Sequence, residues 1–183
     1  MPRKIAVVGG SGSGKTTVAR RLAELHDIRH VELDALFWGP NWTECPRDEF
    51  RIRVEDVVSA DAWVTDGNYT RHLGDLVLER AELVVWLDLP LRVTFPRLWR
   101  RTRQRMRDRT ELWAGNRETW RGALFSRDSL FLWALRTNRQ QRARYEERLA
   151  RYHFVRLRSA REIQDWLAGA VLIDESKPLR SKP

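Results

Sequence analysis

Lys4-Ile-Ala-Val-Val-Gly-Gly-Ser-Gly-Ser-Gly-Lys-Thr-Thr17 is the stretch from which the rest of the chain is read. Lys4 to Val8 is a short β-branched run of the kind that forms a buried strand. Gly9-x-x-x-x-Gly14-Lys15-Thr16 then fits the pattern G-x-x-x-x-G-K-[ST] in full. After it, Val18, Leu22 and Leu25 with Ala19 and Ala23 keep helical spacing to about His26. Strand, glycine loop and helix together are the context a phosphate-binding loop requires. The glycines let the backbone curl so that successive N–H groups and the helix N-terminus converge on phosphate oxygens. Gly10, Ser11, Gly12, Ser13, Gly14, Lys15, Thr16 and Thr17 are the candidate nucleotide-binding residues. Lys15 is placed to reach the β- and γ-phosphates of ATP, and the Thr16 hydroxyl to ligate Mg²⁺. The dinucleotide fingerprint G-x-G-x-x-G fails, because Gly10-x-Gly12 is followed by Lys15 where the third glycine belongs.

Outward from the loop, four more strands are expected: His30 to Asp34, Ala62 to Asp66, Leu83 to Asp88 and Phe154 to Leu157. Helical spacing covers 47–60, Leu91 to about Arg107, about Arg127 to Arg151, and Ala160 to Leu167. Strands alternating with helices predict an α/β fold, a five-stranded parallel sheet with helices on both faces. Ligands of such sheets bind outside the carboxyl ends of the strands. Mg²⁺ usually takes a second anchor from a carboxylate there, and two candidates stand at strand ends, Asp66 and Asp88. Asp88 follows the longer apolar run, but Asp88-Leu-Pro reads as a chain leaving the sheet to start a helix, which favours Asp66.

The 183 residues suit one domain over 1–173, with a polar tail over 174–183. No run of about 18 apolar residues is present for a membrane span. One cysteine, Cys45, excludes an internal disulfide and favours a cytoplasmic address, and the N-terminus does not read as a secretory signal. The net charge of +9 is unevenly placed. Residues 1–91 hold 11 basic and 15 acidic side chains, whereas residues 92–161 hold 20 arginines against 6 acids. So basic a block implies an anionic partner, either nucleotide phosphate or nucleic acid. Trp38, Trp42, Trp113, Trp120 and Trp133 are open to base stacking or to packing, and the four histidines form no metal-ligand spacing.

Asp66-Gly67-Asn68-Tyr69-Thr70-Arg71 resembles the Asp-Gly-Phe-Pro-Arg segment of adenylate kinase-like nucleoside monophosphate kinases. Adding Leu33-Asp34-Ala-Leu-Phe-Trp38, Gly39-Pro-Asn-Trp42 and the arginine-rich helix after Pro90, the chain is similar over about 4–167 to bacterial DNA topology modulation proteins, small P-loop proteins of adenylate kinase-like fold. The resemblance implies an acceptor-binding segment over about 34–60 and a helical lid over about 91–151. It implies Asp34 and Arg71 as acceptor-binding residues, with Asp34 also a candidate base. It further implies Arg101 and Arg105 as lid arginines acting with Lys15 on the transferred phosphoryl group, and Arg158 in a loop covering the adenine. Two functions are expected on this footing. One is a Mg²⁺-dependent kinase transferring phosphate from ATP to a nucleotide or small-molecule acceptor. The other is a nucleic-acid-associated ATPase acting through the basic segment.

Overall fold

A computed structural model describes residues 2–119, 143 and 145–172. Five strands, β1 (Lys4–Gly9), β2 (His30–Glu32), β3 (Trp63–Asp66), β4 (Leu83–Leu87) and β5 (Phe154–Leu157), form one parallel sheet in the order β2-β3-β1-β4-β5. Alternation along β1 serves both faces, as the two-residue period of a strand dictates. Ala6 and Val8 join Phe50, Val54, Val58, Trp63, Val84 and Trp86 on one side. Ile5 and Val7 join Val18, Leu22, Val64, Val85, Leu87 and Ile163 on the other. The expected fold class is therefore the observed one.

The helices are α1 (Lys15–His26), α2 (Leu33–Phe37), α3 (Arg47–Ser59), α4 (Thr70–Leu73), α5 (Leu76–Arg80), α6 (Leu91–Arg107) and α7 (Ala160–Leu172). Three local expectations are corrected. The second strand stops at Glu32, so Asp34 lies on the short helix α2 rather than at a strand end. Leu33 and Phe37, four apart, are both buried there, and that spacing favours one helical turn over an extended strand. Two short helices, α4 and α5, fill the stretch between β3 and β4, where no element was expected. The closing helix runs to Leu172 rather than to Leu167. Most of the helical stretch expected over 127–151, with Trp120, Trp133 and the tail, lies outside the described residues. No described helix is long and apolar enough to cross a membrane.

Strand register is what builds the site. Val7 pairs with Asp66 and Glu32 with Asp66, while Gly9 pairs with Leu87 and Leu87 with Leu157. Segments up to 150 residues apart in sequence thus end on one sheet edge, beside the glycine loop.

Candidate functional site

The loop between β1 and α1 has the conformation its glycines permit. Gly12 (φ 78°) and Gly14 (φ 94°) occupy the left-handed region, which side chains rarely adopt. A Cβ on Gly12 would come within 2.5 Å of the Thr94 carbonyl oxygen, so α6 packs directly on the loop. A Cβ on Gly10 or Gly14 would meet nothing within 4 Å, which leaves open space along the loop. Ser13 is buried, and its Oγ has no hydrogen-bond partner among the described residues. This cradle fits a phosphate chain.

Lys15 Nζ donates to the carbonyl oxygens of Gly9 at 2.9 Å and Gly10 at 3.1 Å. Burial lowers its pKa, the nearby charge of Arg101 adds to that, and Asp34 and Asp66 oppose it. Thr16 Oγ1 donates to Asp66 Oδ2 at 2.5 Å, and His30 Nε2 is 3.4 Å from Asp66 Oδ1. Two hard oxygen donors beside the loop fit Mg²⁺. Asp88, the other carboxylate considered, accepts from Arg156 Nε at 2.9 Å and Nη2 at 2.8 Å. The Arg156 guanidinium also lies 4.2 Å over the Trp86 ring.

Two residues with no assigned chemistry in the sequence reading tie these groups together. Asn68 Oδ1 accepts from the Gly9 N–H at 3.1 Å, and its Nδ2 donates back to the Gly9 oxygen at 2.5 Å. Its side-chain amide thus holds one peptide unit of the loop from both sides. Tyr69 Oη donates to Asp34 Oδ1 at 2.5 Å, with the ring packed against Phe37 and Phe50. Burial raises the pKa of Asp34; the Tyr69 bond and the charge of Lys15 oppose this, while Asp66 and Glu32 reinforce it. Burial also raises that of Tyr69, so its hydroxyl stays a donor. The signal for both residues was the Asp66-Gly67-Asn68-Tyr69 segment itself. What could not be read was which backbone each side chain reaches.

The expected acceptor and lid residues divide. Arg71 is exposed on α4. On α3, Arg47 donates to the His72 carbonyl oxygen, Arg51 pairs with Glu55, and Arg53 binds the Leu36 carbonyl oxygen and Glu49. On α6, Arg101 lies within electrostatic reach of Lys15 and Asp34, and burial followed by the charge of Arg105 lowers its pKa. Arg105 pairs with Glu118 at 3.0 Å. Arg100 and Arg103 are exposed on the helix side away from Arg105 and the buried Thr94, Leu98 and Thr102. Of the tryptophans, Trp38 packs edge-on against Phe37 and Trp42, and Trp113 donates to Glu32 Oε2 at 3.1 Å. Arg158 lines a cleft of about 320 Å³ with Asp88, Pro90 and Arg156, at the carboxyl ends of β4 and β5.

Comparison with known proteins bears on the fold. The chain is 29% identical over 113 residues to a cytidylate kinase of Pyrococcus furiosus. The matched stretch is 53% of this chain and 56% of that enzyme, so the chain spans about half the length of the curated relative it matches. No protein-family model matches. Among solved structures it is similar to a shikimate kinase from Acinetobacter baumannii in complex with shikimate, at TM-score 0.57 and 20% identity over 94% of each chain. It is also similar to a shikimate kinase from Bacteroides thetaiotaomicron, at TM-score 0.55 and 16% identity, covering 93% of this chain and 96% of that one. A gluconokinase from Sinorhizobium meliloti gives TM-score 0.52 and 21% identity, over 93% and 94% of the two chains. The fold is that of the P-loop kinases.

Proposed function

We propose that this chain is a Mg²⁺-dependent phosphotransferase that moves the γ-phosphoryl group of ATP onto a hydroxyl of a small-molecule acceptor. The observation that carries this reading is the convergence of Lys15, Thr16 with Asp66, and the Tyr69-held Asp34 at one sheet edge. The relatives and structural neighbours, kinases by name, support it. The resemblance to DNA topology modulation proteins rests on the sequence segments quoted above.

Phosphoryl transfer asks alignment and charge neutralisation of the protein more than covalent chemistry. The loop N–H groups and Lys15 bind the phosphate chain, and Lys15 exchanges its two carbonyl partners for phosphate oxygens. Thr16 and Asp66 would hold Mg²⁺, which when bound would offset the negative charge of the phosphate chain. Arg101, with Arg105 behind it, faces the developing charge from the lid side. Asp34 accepts the hydroxyl proton of the acceptor, and Tyr69 fixes the carboxylate for it. Arg71 on α4 would contact the acceptor, and Arg158, in the loop after β5, would contact the adenine.

The use of α3 argues for a hydroxyl acceptor over a nucleotide one. Arg51 and Arg53 are paired with Glu55 and Glu49 on their own helix, so their charge is already offset and they do not present a phosphate clamp. Asp66 meanwhile lies close enough to Asp34 to raise the cost of its charge, which disfavours an acceptor phosphate beside them. The test is ADP formation with mass-detected phosphorylated product over a panel of polyols, hydroxy acids, nucleosides and nucleoside monophosphates. Tight binding of an ATP analogue with transfer to none of them would count against the kinase.

A nucleic-acid-associated ATPase is the second reading. It is favoured by one observation: Arg92, Arg100 and Arg103 are exposed along α6 and make no ion pair among the described residues. DNA binding through them predicts a log–log salt slope near −0.9 per phosphate neutralised. An affinity unchanged between low and physiological salt would eliminate it.

A further inference from the structure

Two loops far apart in sequence share one design. Trp38 to Glu44 and Glu111 to Arg117 are each closed by an isolated antiparallel bridge between their end residues. Each holds a tight turn with a non-glycine residue in the left-handed region, Asn41 (φ 57°) in the first and Ala114 (φ 54°) in the second. Trp42 is also left-handed, at φ 57°. Non-glycine residues hold such conformations only where the surroundings over-determine them. The first loop belongs to the acceptor segment, and the second follows α6, in the lid region.

The two loops meet through Asn116, which is 4% exposed. Its Oδ1 accepts from the Trp42 N–H at 2.9 Å, and its Nδ2 donates at 2.8 Å both to the Gly39 oxygen and to the Trp113 oxygen. One buried amide thus pins Gly39 and Trp42 on one side and its own loop on the other. Trp42 Nε1 adds a bond to the Arg117 oxygen at 3.3 Å. Beside this contact, Trp113 binds Glu32 at the end of β2, and Trp42 packs on Trp38. An Asn at this place serves because it offers two donors and an acceptor together. Ala offers none, and it leaves the half-buried Trp42 N–H and Gly39 oxygen without their Asn116 partner.

We infer that Asn116 is a positioning residue: it clasps the lid tip to the acceptor loop, so that the two walls of the acceptor space move as one body. The clasp itself stands on the hydrogen bonds above, while its use in catalysis rests on the kinase reading. Closing over ATP on the α6 side then also seats Trp42 and Trp113, and water is shut out only when both segments are in place.

Hydrogen exchange resolved to single amides tests this in the full chain, with and without the non-hydrolysable analogue AMP-PNP and Mg²⁺. In Asn116→Ala, the Trp42 amide is expected to exchange about tenfold or more faster, since its acceptor, Asn116 Oδ1, is lost. Core amides of β1 and β3 should keep the protection of the unmodified chain, which separates a clasp from a loss of fold. Trp42→Phe keeps the bond to Asn116 and loses the one to Arg117, so both loops should loosen together by a factor of about 2–10. AMP-PNP should protect both loops in the unmodified chain and only the lid loop in Asn116→Ala. An unchanged Trp42 amide in Asn116→Ala would overturn the clasp, as would loosening of one loop alone in Trp42→Phe. Should Asn116→Ala fail to fold, the Trp42→Phe outcome decides alone. Failure of AMP-PNP to bind the unmodified chain would instead overturn the kinase reading, and the nucleotide-free arms would still decide the clasp.

Discussion

Thr16 Oγ1 and Asp66 Oδ2 meet at 2.5 Å across 50 residues of sequence, joining the first turn of α1 to the carboxyl end of β3. Neither position is near the other until β1 and β3 pair with Val7 opposite Asp66. With Mg²⁺ bound, the same two oxygens supply an alcohol and a carboxylate on one side of the phosphate loop.

Substitutions at this pair should act through the metal. Thr16→Ala and Asp66→Asn are each expected to move the Mg²⁺ activation midpoint of phosphoryl transfer upward by about 10–100-fold, the range found when groups supporting a metal site are removed. A Mg²⁺ titration at saturating ATP reads this. The Asp88→Asn substitution should instead lower thermal stability by breaking the pair with Arg156, leaving the midpoint in place.

Lys15→Met should separate binding from folding. The ammonium is held by two carbonyl oxygens in the nucleotide-free chain, and burial disfavours its charge. Its loss therefore costs the fold little, while transfer should fall by about 10²–10³-fold, as when one preorganised charge-stabilising donor is removed. Calorimetric binding of an ATP analogue, alongside thermal melting, distinguishes the two effects.

Tyr69→Phe should shift the pH profile. The Tyr69 hydroxyl donates to Asp34, which favours the ionised carboxylate against the burial that raises its pKa. Without it the Asp34 pKa rises further, so the acid limb of the transfer rate should move to higher pH. An unshifted limb would mean that Asp34 is not the base.

Asp34→Asn trades activity for stability. A carboxyl whose folded pKa is raised binds more protons folded than unfolded, so its contribution to stability falls as pH climbs through the ordinary carboxylate range and stays lost above the folded pKa. Denaturant unfolding at pH 7 should show Asp34→Asn more stable than the unmodified chain, with the gap closing below about pH 4, near the unfolded carboxyl value. Transfer should be abolished at both.

The arginines of α6 should sort by face. Arg101→Ala is expected to lower transfer by about 10²-fold, the loss of one charge stabilising the transition state. Arg100→Ala and Arg103→Ala should leave it unchanged, because both point away from the site. Steady-state rates at fixed ATP check this, and a DNA-binding salt slope that falls only with the outer pair would assign that face to a larger anion.

The site was partly legible before any coordinates. Gly9 to Thr17 needs no tertiary context, since its chemistry lies in consecutive backbone groups. Strand ends are equally local signals, so Asp66 and Asp88 stood out; Pro90 favoured Asp66 as the Mg²⁺-side carboxylate, and Asp66 is the one of the two that lies against Thr16. Asp34 was singled out on the wrong element, because Leu33 and Phe37 pack as one helical turn where the alternation from His30 to Asp34 suggested that the strand ran on. Asn68, Tyr69 and Asn116 were not assigned a role, since an amide or a phenol carries no spacing rule until its acceptor is in place.

Sequence alone determined the class of this protein: five apolar runs, a glycine loop that no other residue type could form, and an anion-directed charge concentrated after the fourth strand. These are local properties, set by backbone sterics and by periodicity within a few residues. Tertiary structure decided how that charge is spent. The arginines of α6 form a continuous list in sequence, but the helix turns 100° per residue and packs Thr94, Leu98 and Thr102 inward. Arg101, though exposed, and Arg105 thereby lie on the helix side that faces Lys15, Asp34 and Glu118, and Arg100 and Arg103 on the opposite side. On α3, Arg51 and Arg53 are offset by carboxylates of their own helix. Which charges meet a phosphate depends on helix phase and on who stands opposite, and both exist only once the chain is packed.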